Sequence, residues 1–402
     1  MDEASTLAVK RYFREYYFKN SERIKAPSHI ESREFGYFPF NGGMIRHLSF
    51  SDIGIFRALL VKESPAGVYC SNSLYEDPTA EMQKKGWKKA NLIFDIDADA
   101  LKLPCKNEHD IWFCKKCGLK EFGLRPEACP NCKGTTILEM TWACSSCIEG
   151  TKKETFRLLE FLEQDFGIED AQVSVFYSGN AGFHIEVESS ALDELDQHGR
   201  SEISDYITAQ GLSPNIFENI RLSPNDPGWR GRVARYIRDL PSGAKPFKNT
   251  EYERRLSELV NDLDPNQVET LLHSAINSNR VRIDAMVTAD IHRVFRMAET
   301  LNNKTGLVKR KCSDLSSFDP FLEAVALPEE KELVTVNVDI CPKISLLSTT
   351  IGPITKKTTA DVPLYLATYL LCRGAARIFD RKTESIETGS PRTMKSDVAH
   401  AS

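Results

Sequence analysis

Residues 91–99 read Asn91-Leu92-Ile93-Phe94-Asp95-Ile96-Asp97-Ala98-Asp99, and the fold turns on how they are taken. As a strand, they put Leu92, Phe94, Ile96 and Ala98 on one face and Asp95, Asp97 and Asp99 on the other. Burying unpaired carboxylates is costly, so a row of acids on a core strand calls for a cation or strong hydrogen-bond donors. Residues two apart on a strand are about 6.5–7 Å apart at Cα, a separation from which two side chains can converge on one or two divalent ions. The competing reading is a strand end whose acids face water or pair with Lys and Arg.

The 402 residues, 41% of them hydrophobic, allow a large core and two or three domains. A formal charge of −5 gives no general attraction to nucleic acid or membrane, so an anionic partner must be met by local basic patches. The acidic start Met1-Asp2-Glu3-Ala4-Ser5 lacks a signal pattern, and no apolar run approaches the ~20 residues of a membrane span. A soluble, cytoplasmic protein is expected.

Of eleven cysteines, seven lie between Cys105 and Cys147, which in a cytosolic chain favours metal over disulfides. They form, with one histidine, the pairs Cys105/His109, Cys114/Cys117, Cys129/Cys132 and Cys144/Cys147. Two-residue spacing lets both thiolates of a knuckle reach one tetrahedral ion, so four pairs supply two structural zinc sites. Spacing leaves the pairing open. Nested pairing joins 105/109 with 144/147 around 114/117 with 129/132; interleaved pairing makes a cross-brace.

Outward from the acidic strand, residues 5–19 have helical amphipathic spacing, and a hairpin is expected around Asn41-Gly42-Gly43. Arg33, Arg46 and His47 read as solvated edge residues, and the basic stretch Lys84–Lys89 around Trp87 as a solvated loop or a phosphate contact. A helix is expected over Thr151–Phe166 with Phe156, Leu159, Leu162 and Phe166 on its apolar face. Strand Ala171–Tyr177, the turn Ser178-Gly179-Asn180-Ala181-Gly182 and strand Phe183–Glu188 follow, with His184 on the face opposite the core. The glycine turn could cradle a phosphate or simply close a hairpin. Residues 213–232 read as a basic loop and roughly 252–276 as a charged helix. Alternation over Arg280–Thr288 predicts a core strand with Asp284 on its polar face, then a helix from Ala289 to about Ala298. Strands at 333–340 and near 344–351 and a helix over Asp361–Phe379 complete the expected elements.

Taken together and in order, these features resemble the catalytic small subunit of archaeo-eukaryotic DNA primase over most of residues 5–380. The marks are Arg33-Glu34-Phe35-Gly36, Met44-Ile45-Arg46-His47-Leu48-Ser49-Phe50, Asp95-Ile96-Asp97, the Cys/His cluster, Ser178–Ile185, the Asp284 segment and Lys304-Thr305-Gly306-Leu307. The resemblance implies an α/β (α+β) fold with an RRM-like catalytic sheet flanked by helices and bearing a zinc-binding insert. It divides the chain into 1–104 with the metal-binding strand, the insert 105–150, the remaining catalytic core 151–320, C-terminal strands and helix 321–380, and a disordered tail 381–402.

By the same resemblance Asp95, Asp97 and Asp284 hold catalytic Mg²⁺ or Mn²⁺. Ser178, Gly179, His184, Arg296, Leu301, Asn302 and Lys304 meet the nucleotide. Cys105, His109, Cys144 and Cys147 form the family zinc site, which favours nested pairing and makes Cys114, Cys117, Cys129 and Cys132 a second one. Implied partners are single-stranded DNA template, an RNA or DNA primer, NTPs or dNTPs and a large primase subunit carrying an iron–sulfur cluster, at the nucleoid. Two departures stand out: Ala181 where the family turn often has Arg, and Asn302 where it usually has His, both reducing positive charge near a triphosphate. A related primase-polymerase of repair or gap filling, and a non-catalytic zinc-containing nucleic-acid-binding protein, are the other readings.

Overall fold

In the computed structural model Leu92–Asp97 is a strand whose Leu92, Phe94 and Ile96 are fully buried. Residues 1–217, 222–240, 263–328 and 333–379 are described. The strand is the edge of a four-stranded antiparallel sheet, in the order Arg310–Lys311, Val173–Tyr177, Gly182–Val187, Leu92–Asp97. The long helix Ser145–Phe166 packs against its inner face, where Phe94, Ile96, Phe183, Ile185 and Val187 share one core with Ile148, Leu158, Phe161 and Leu162. The sheet therefore has a dry face under the helix and a polar face opposite.

A second four-stranded antiparallel sheet runs Val294–Arg296, Gly67–Ser71, Phe35–Phe38, Ile45–Leu48. It closes over the polar face through a small apolar cluster of Ile93, Val287 and Phe295. A third sheet, Thr358–Pro363, Leu333–Val338, Ala376–Ile378, shares the main core with the N-terminal helix Glu3–Asn20. The insert carries its own three-stranded sheet and a separate apolar cluster of Trp112, Cys114, Cys129 and Ile137. The expected class, mixed helix and antiparallel sheet with a cysteine-rich insert, is the one observed. No helix among the described residues is long and apolar enough to cross a membrane.

Several local expectations fail for identifiable reasons. Asp284 begins the short helix Ala285–Ala289 instead of lying in a strand, because its carboxylate caps the Met286 and Val287 N–H groups at 3.0 and 3.3 Å. The helix expected over 289–298 is instead the strand Val294–Arg296, whose Val-Phe pair extends the second sheet. Pro363 ends a strand and starts the helix Leu364–Arg373, and Gly374 at φ 72° stops it, so the expected helix 361–379 is shorter. On the long helix the buried stripe is Ile148, Thr151, Thr155, Leu158 and Leu162, and Phe156 is exposed.

The basic loop at 213–232 contains the start of the helix Gly228–Asp239, which buries Arg232 over the Phe161 ring and against Asp165 at 3.2 Å. The helix Pro265–Asn279 is capped by Asp264. Arg221, residues 252–262 of the expected charged stretch and the tail 381–402 lie outside the described residues.

Gly182 lies where its strand passes close to the edge strand Leu92–Asp97. A Cβ there would lie 2.0 Å from the Ile96 carbonyl oxygen and 2.8 Å from the Asp97 Cα, both backbone atoms. Gly182→Ala should therefore open the pairing beside Asp97 and lower stability by roughly 3 kcal/mol. A urea midpoint unchanged from wild type would contradict this.

Candidate active site

Register places the chemistry on the polar face of the first sheet. Asp95 pairs with His184 and Asp97 with Gly182 across neighbouring strands. The third acid arrives by a backbone bond: the Asp284 N–H donates to the Asp95 carbonyl at 3.0 Å, holding that segment alongside the acidic strand. Asp97 accepts the Asp99 N–H at 3.1 Å and so starts the turn Ala98–Ala100, where Asp99 is exposed.

Burial, then the nearby Asp97 and Asp284 carboxylates, push Asp95 up to about 7. Burial raises Asp97, aided by the Asp99 charge and opposed by the Asp99 N–H bond and by Lys304 and Arg373. These acids are electrostatically unsatisfied on their own, which is the condition a divalent cation relieves. The His184 side chain is 13% exposed, and its burial together with the charges of Lys309, Arg296 and Arg293 holds it well below the usual imidazole range. It is therefore neutral, and its 3.7 Å approach to Asp95 is not an ion pair. The Nδ1 atom is buried with no hydrogen-bond partner among the described residues.

A proton consequence follows for the metal-free protein. An acid whose folded pKa lies above its unfolded value favours folding when protonated, and this stability is lost as pH rises from about 4 to about 7. The depressed His184 acts in the opposite sense, costing stability as pH falls below the ordinary imidazole value. Comparison of variants isolates the first effect. In chelator at pH 8, Asp95→Asn should melt roughly 5 °C above wild type, with the gap closing toward pH 4.5. Equal melting temperatures across this range would show that Asp95 is not strained.

The glycine turn and the 301–307 loop lock together. Gly179 sits at φ 84°, and a Cβ there would meet Asn302 at 3.1 Å and the Leu307 carbonyl at 3.3 Å. The Thr305 hydroxyl donates to the Gly179 carbonyl at 2.5 Å, and Asn302 approaches the Ser178 carbonyl at 3.5 Å. Asn302 also accepts the Lys304 N–H at 2.9 Å. Arg296 is buried, donating to the Leu301 carbonyl at 2.9 Å, the Tyr69 hydroxyl at 2.9 Å and Asn303 at 3.3 Å. It braces the loop from below. Ala181 is buried with Ala98 and Cys147.

Other residues here carry no local sequence signal. Lys309 is buried, bonds Glu186 at 2.6 Å and lies over the Phe176 ring. A cleft of about 370 Å³ between the two sheets is lined in part by Arg33, Asn72, Glu186, Arg296 and Lys309. Glu34 is fully buried between Arg46 at 2.8 Å and Lys85 at 3.3 Å, and Arg33 is buried against the Ser71 carbonyl. Arg33 and Lys85 are thus structural cations, not the solvated residues expected; Trp87 lies in a strand and bonds Ser73.

The cysteine pairs adopt the nested grouping. Ligand atoms of Cys105, His109, Cys144 and Cys147 all lie within 4.8 Å of one another, as do those of Cys114, Cys117, Cys129 and Cys132. Sulfur separations of 3.6 Å for Cys105–Cys147, 3.5 Å for Cys114–Cys132 and 3.6 Å for Cys117–Cys129 approach the roughly 3.8 Å edge of a tetrahedron with 2.3 Å zinc–sulfur bonds. The His109 Nε2 is 3.2 Å from Cys147, and its Nδ1 meets Asp110 at 2.9 Å, the orienting bond of a metal-bound imidazole. Both donor sets fit zinc. The three aspartates are not one of these tight sets.

The Nitrosopumilus maritimus DNA primase small subunit is 34% identical over 387 residues, covering 94% of this chain and all of that protein. The small subunits of Cenarchaeum symbiosum and Archaeoglobus fulgidus are 35% and 31% identical, with 94% and 92% of this chain covered and 99% and 98% of theirs. The family model of the DNA primase small subunit matches residues 125–313, from the insert to the strand beyond Lys304. With near full-length coverage at this identity, the chain belongs to the DNA primase small-subunit family.

Proposed function

We propose that this chain is the catalytic subunit of a DNA primase, an enzyme that joins nucleoside triphosphates into short primers on single-stranded DNA and releases pyrophosphate. The observation that carries the reading is the bond from Asp284 to the Asp95 backbone, which adds a third carboxylate to a row already under electrostatic strain. Relatives named as primase small subunits along nearly the whole chain support it.

Asp95, Asp97 and Asp284 would hold the Mg²⁺ or Mn²⁺ ions. Bound there, two such ions supply activation of the attacking 3′-hydroxyl and neutralisation of the triphosphate and leaving pyrophosphate. The remaining work falls to the chain's own groups. Neutral His184 can donate one hydrogen bond to a phosphate oxygen without competing for the cations. The Ser178-Gly179 turn, pinned by Thr305 and Asn302, offers a close backbone approach, and Lys304 adds charge near Asp97. Arg296 positions Leu301 and Asn303. With Ala181 and Asn302 in place of cationic family residues, Lys304, Lys309 and Arg293 carry the positive potential. The two cysteine sets would bind structural zinc, and the family relation implies a heterodimer with a large subunit.

Synthesis of a dinucleotide on unprimed single-stranded DNA, with and without a large primase subunit, tests the reading. Dinucleotide that depends on Mg²⁺ or Mn²⁺ supports a primase. Extension of a supplied primer with no dinucleotide would assign the chain to gap filling instead.

A further inference from the structure

A cleft of about 970 Å³ opens where the two acid-bearing segments leave the site, and the proposed function does not use it. One wall is Ala100–Leu103, the direct continuation of the Asp95–Asp99 row; the other is Arg280–Ile283, which ends at Asp284. The first turns of the helix Ser145–Phe166 form the floor. Both walls are thus continuous in sequence with the segments that carry the acids.

The lining is strongly one-signed. Lys102, Lys153, Arg157, Arg280 and Arg282 line it against two acids, Glu149 and Glu154. Both acids are engaged: Glu149 pairs with Lys152 at 2.9 Å, and buried Glu154 bridges Arg157 at 2.8 Å and Arg282 at 3.0 Å. Glu154 thus aims two guanidinium groups into one place. Lys102 and Lys153 are exposed and have no ion-pair partner among the described residues. The Arg280 Nε is buried with no hydrogen-bond acceptor among them, an arrangement that costs free energy unless an outside acceptor arrives. In a chain of net charge −5 this local excess of cations is not a compositional accident.

We propose that this cleft is the seat of a nucleic-acid phosphodiester backbone, held by Lys102, Lys153, Arg280 and Arg282 as the strand passes the catalytic carboxylates. The proposal rests on the primase reading for its direction of travel, not for its chemistry. Phosphates of unpaired template and of the template–primer duplex would be bound alike, through charge and planar guanidinium contacts without base readout.

The test is the double variant Lys102→Ala/Lys153→Ala in the full chain. Anisotropy with a labelled single-stranded DNA and a labelled template–primer duplex is measured across a salt series, beside binding of ATP with Mn²⁺. We expect roughly tenfold weaker DNA binding near physiological salt. The salt slope should shrink by about 1.8 for duplex or about 1.4 for single strand, with ATP binding and melting temperature unchanged. An effect confined to the single strand assigns the cleft to template; one confined to the duplex assigns it to the product end. Unaltered affinity and slope in both arms would overturn the proposal, as would loss of ATP binding with both DNA arms intact. Wild-type protein that binds DNA through these lysines but shows no Mn²⁺-dependent ATP binding would instead sink the catalytic reading and leave this one standing.

Discussion

Alanine at Asp95 or Asp97 should reduce nucleotide incorporation by at least about 10³-fold, while the protein remains folded and keeps its zinc. The size of the effect follows from what these groups do. Their carboxylates share a half-buried polar strand face, and burial, together with repulsion from Asp97 and Asp284, pushes Asp95 up to about 7. Removing one relieves that repulsion, so the fold gains while the site loses its capacity for divalent ions. A variant that kept incorporating nucleotides at near wild-type rate would remove both acids from the chemistry. A variant that lost activity by unfolding would show it in its melting curve, where Asp95 variants are instead expected to hold or rise.

The second large effect concerns the cysteine sets, which differ in their connection to the active site. Cys147 is fully buried, packs with Ala98 and Ala181, and begins the helix that supports the acidic strand. Cys147→Ala should release one zinc and lower the rate on the order of 10²-fold, because Ala98 follows Asp97 and Ala181 lies in the turn proposed to meet the nucleotide, where small displacements are expensive. Cys132→Ala should release the other zinc with a small effect on the rate. Its set packs in the insert's own cluster with Trp112 and Ile137, apart from the main core. Metal analysis and initial rates on both variants check this. Equal losses of rate would show that the insert acts as one unit.

The acidic strand was legible because period-two alternation admits a single choice of faces, and the structure keeps Phe94 and Ile96 buried opposite Asp95 and Asp97. Asp284 was legible as a residue but not in its setting. Alternation over Val281–Val287 fits a strand equally well, and the capping bonds that decide for a helix depend on a local competition that spacing does not reveal. The nested cysteine grouping is a matter of tertiary distances, since both pairings satisfy the same sequence spacing.

The pairings of Lys309, Glu34 and Lys85 were invisible for a further reason. Their partners lie 123 residues away for Lys309, and in different elements for the other two, so each reads alone as a solvated charge. The same holds for the basic cleft, whose cations come from residues near 102, 153 and 280 and meet only in the folded chain.

The central claim is that Asp95, Asp97 and Asp284 hold the cations through which a nucleoside triphosphate is bound and reacted. Calorimetric titration of ATP into the metal-stripped protein, with and without added Mn²⁺, addresses it directly when wild type is compared with Asp97→Ala. Wild type should bind ATP only when Mn²⁺ is present, and the variant under neither condition. Binding of equal strength without Mn²⁺, or undiminished Mn²⁺-dependent binding by Asp97→Ala, would contradict it.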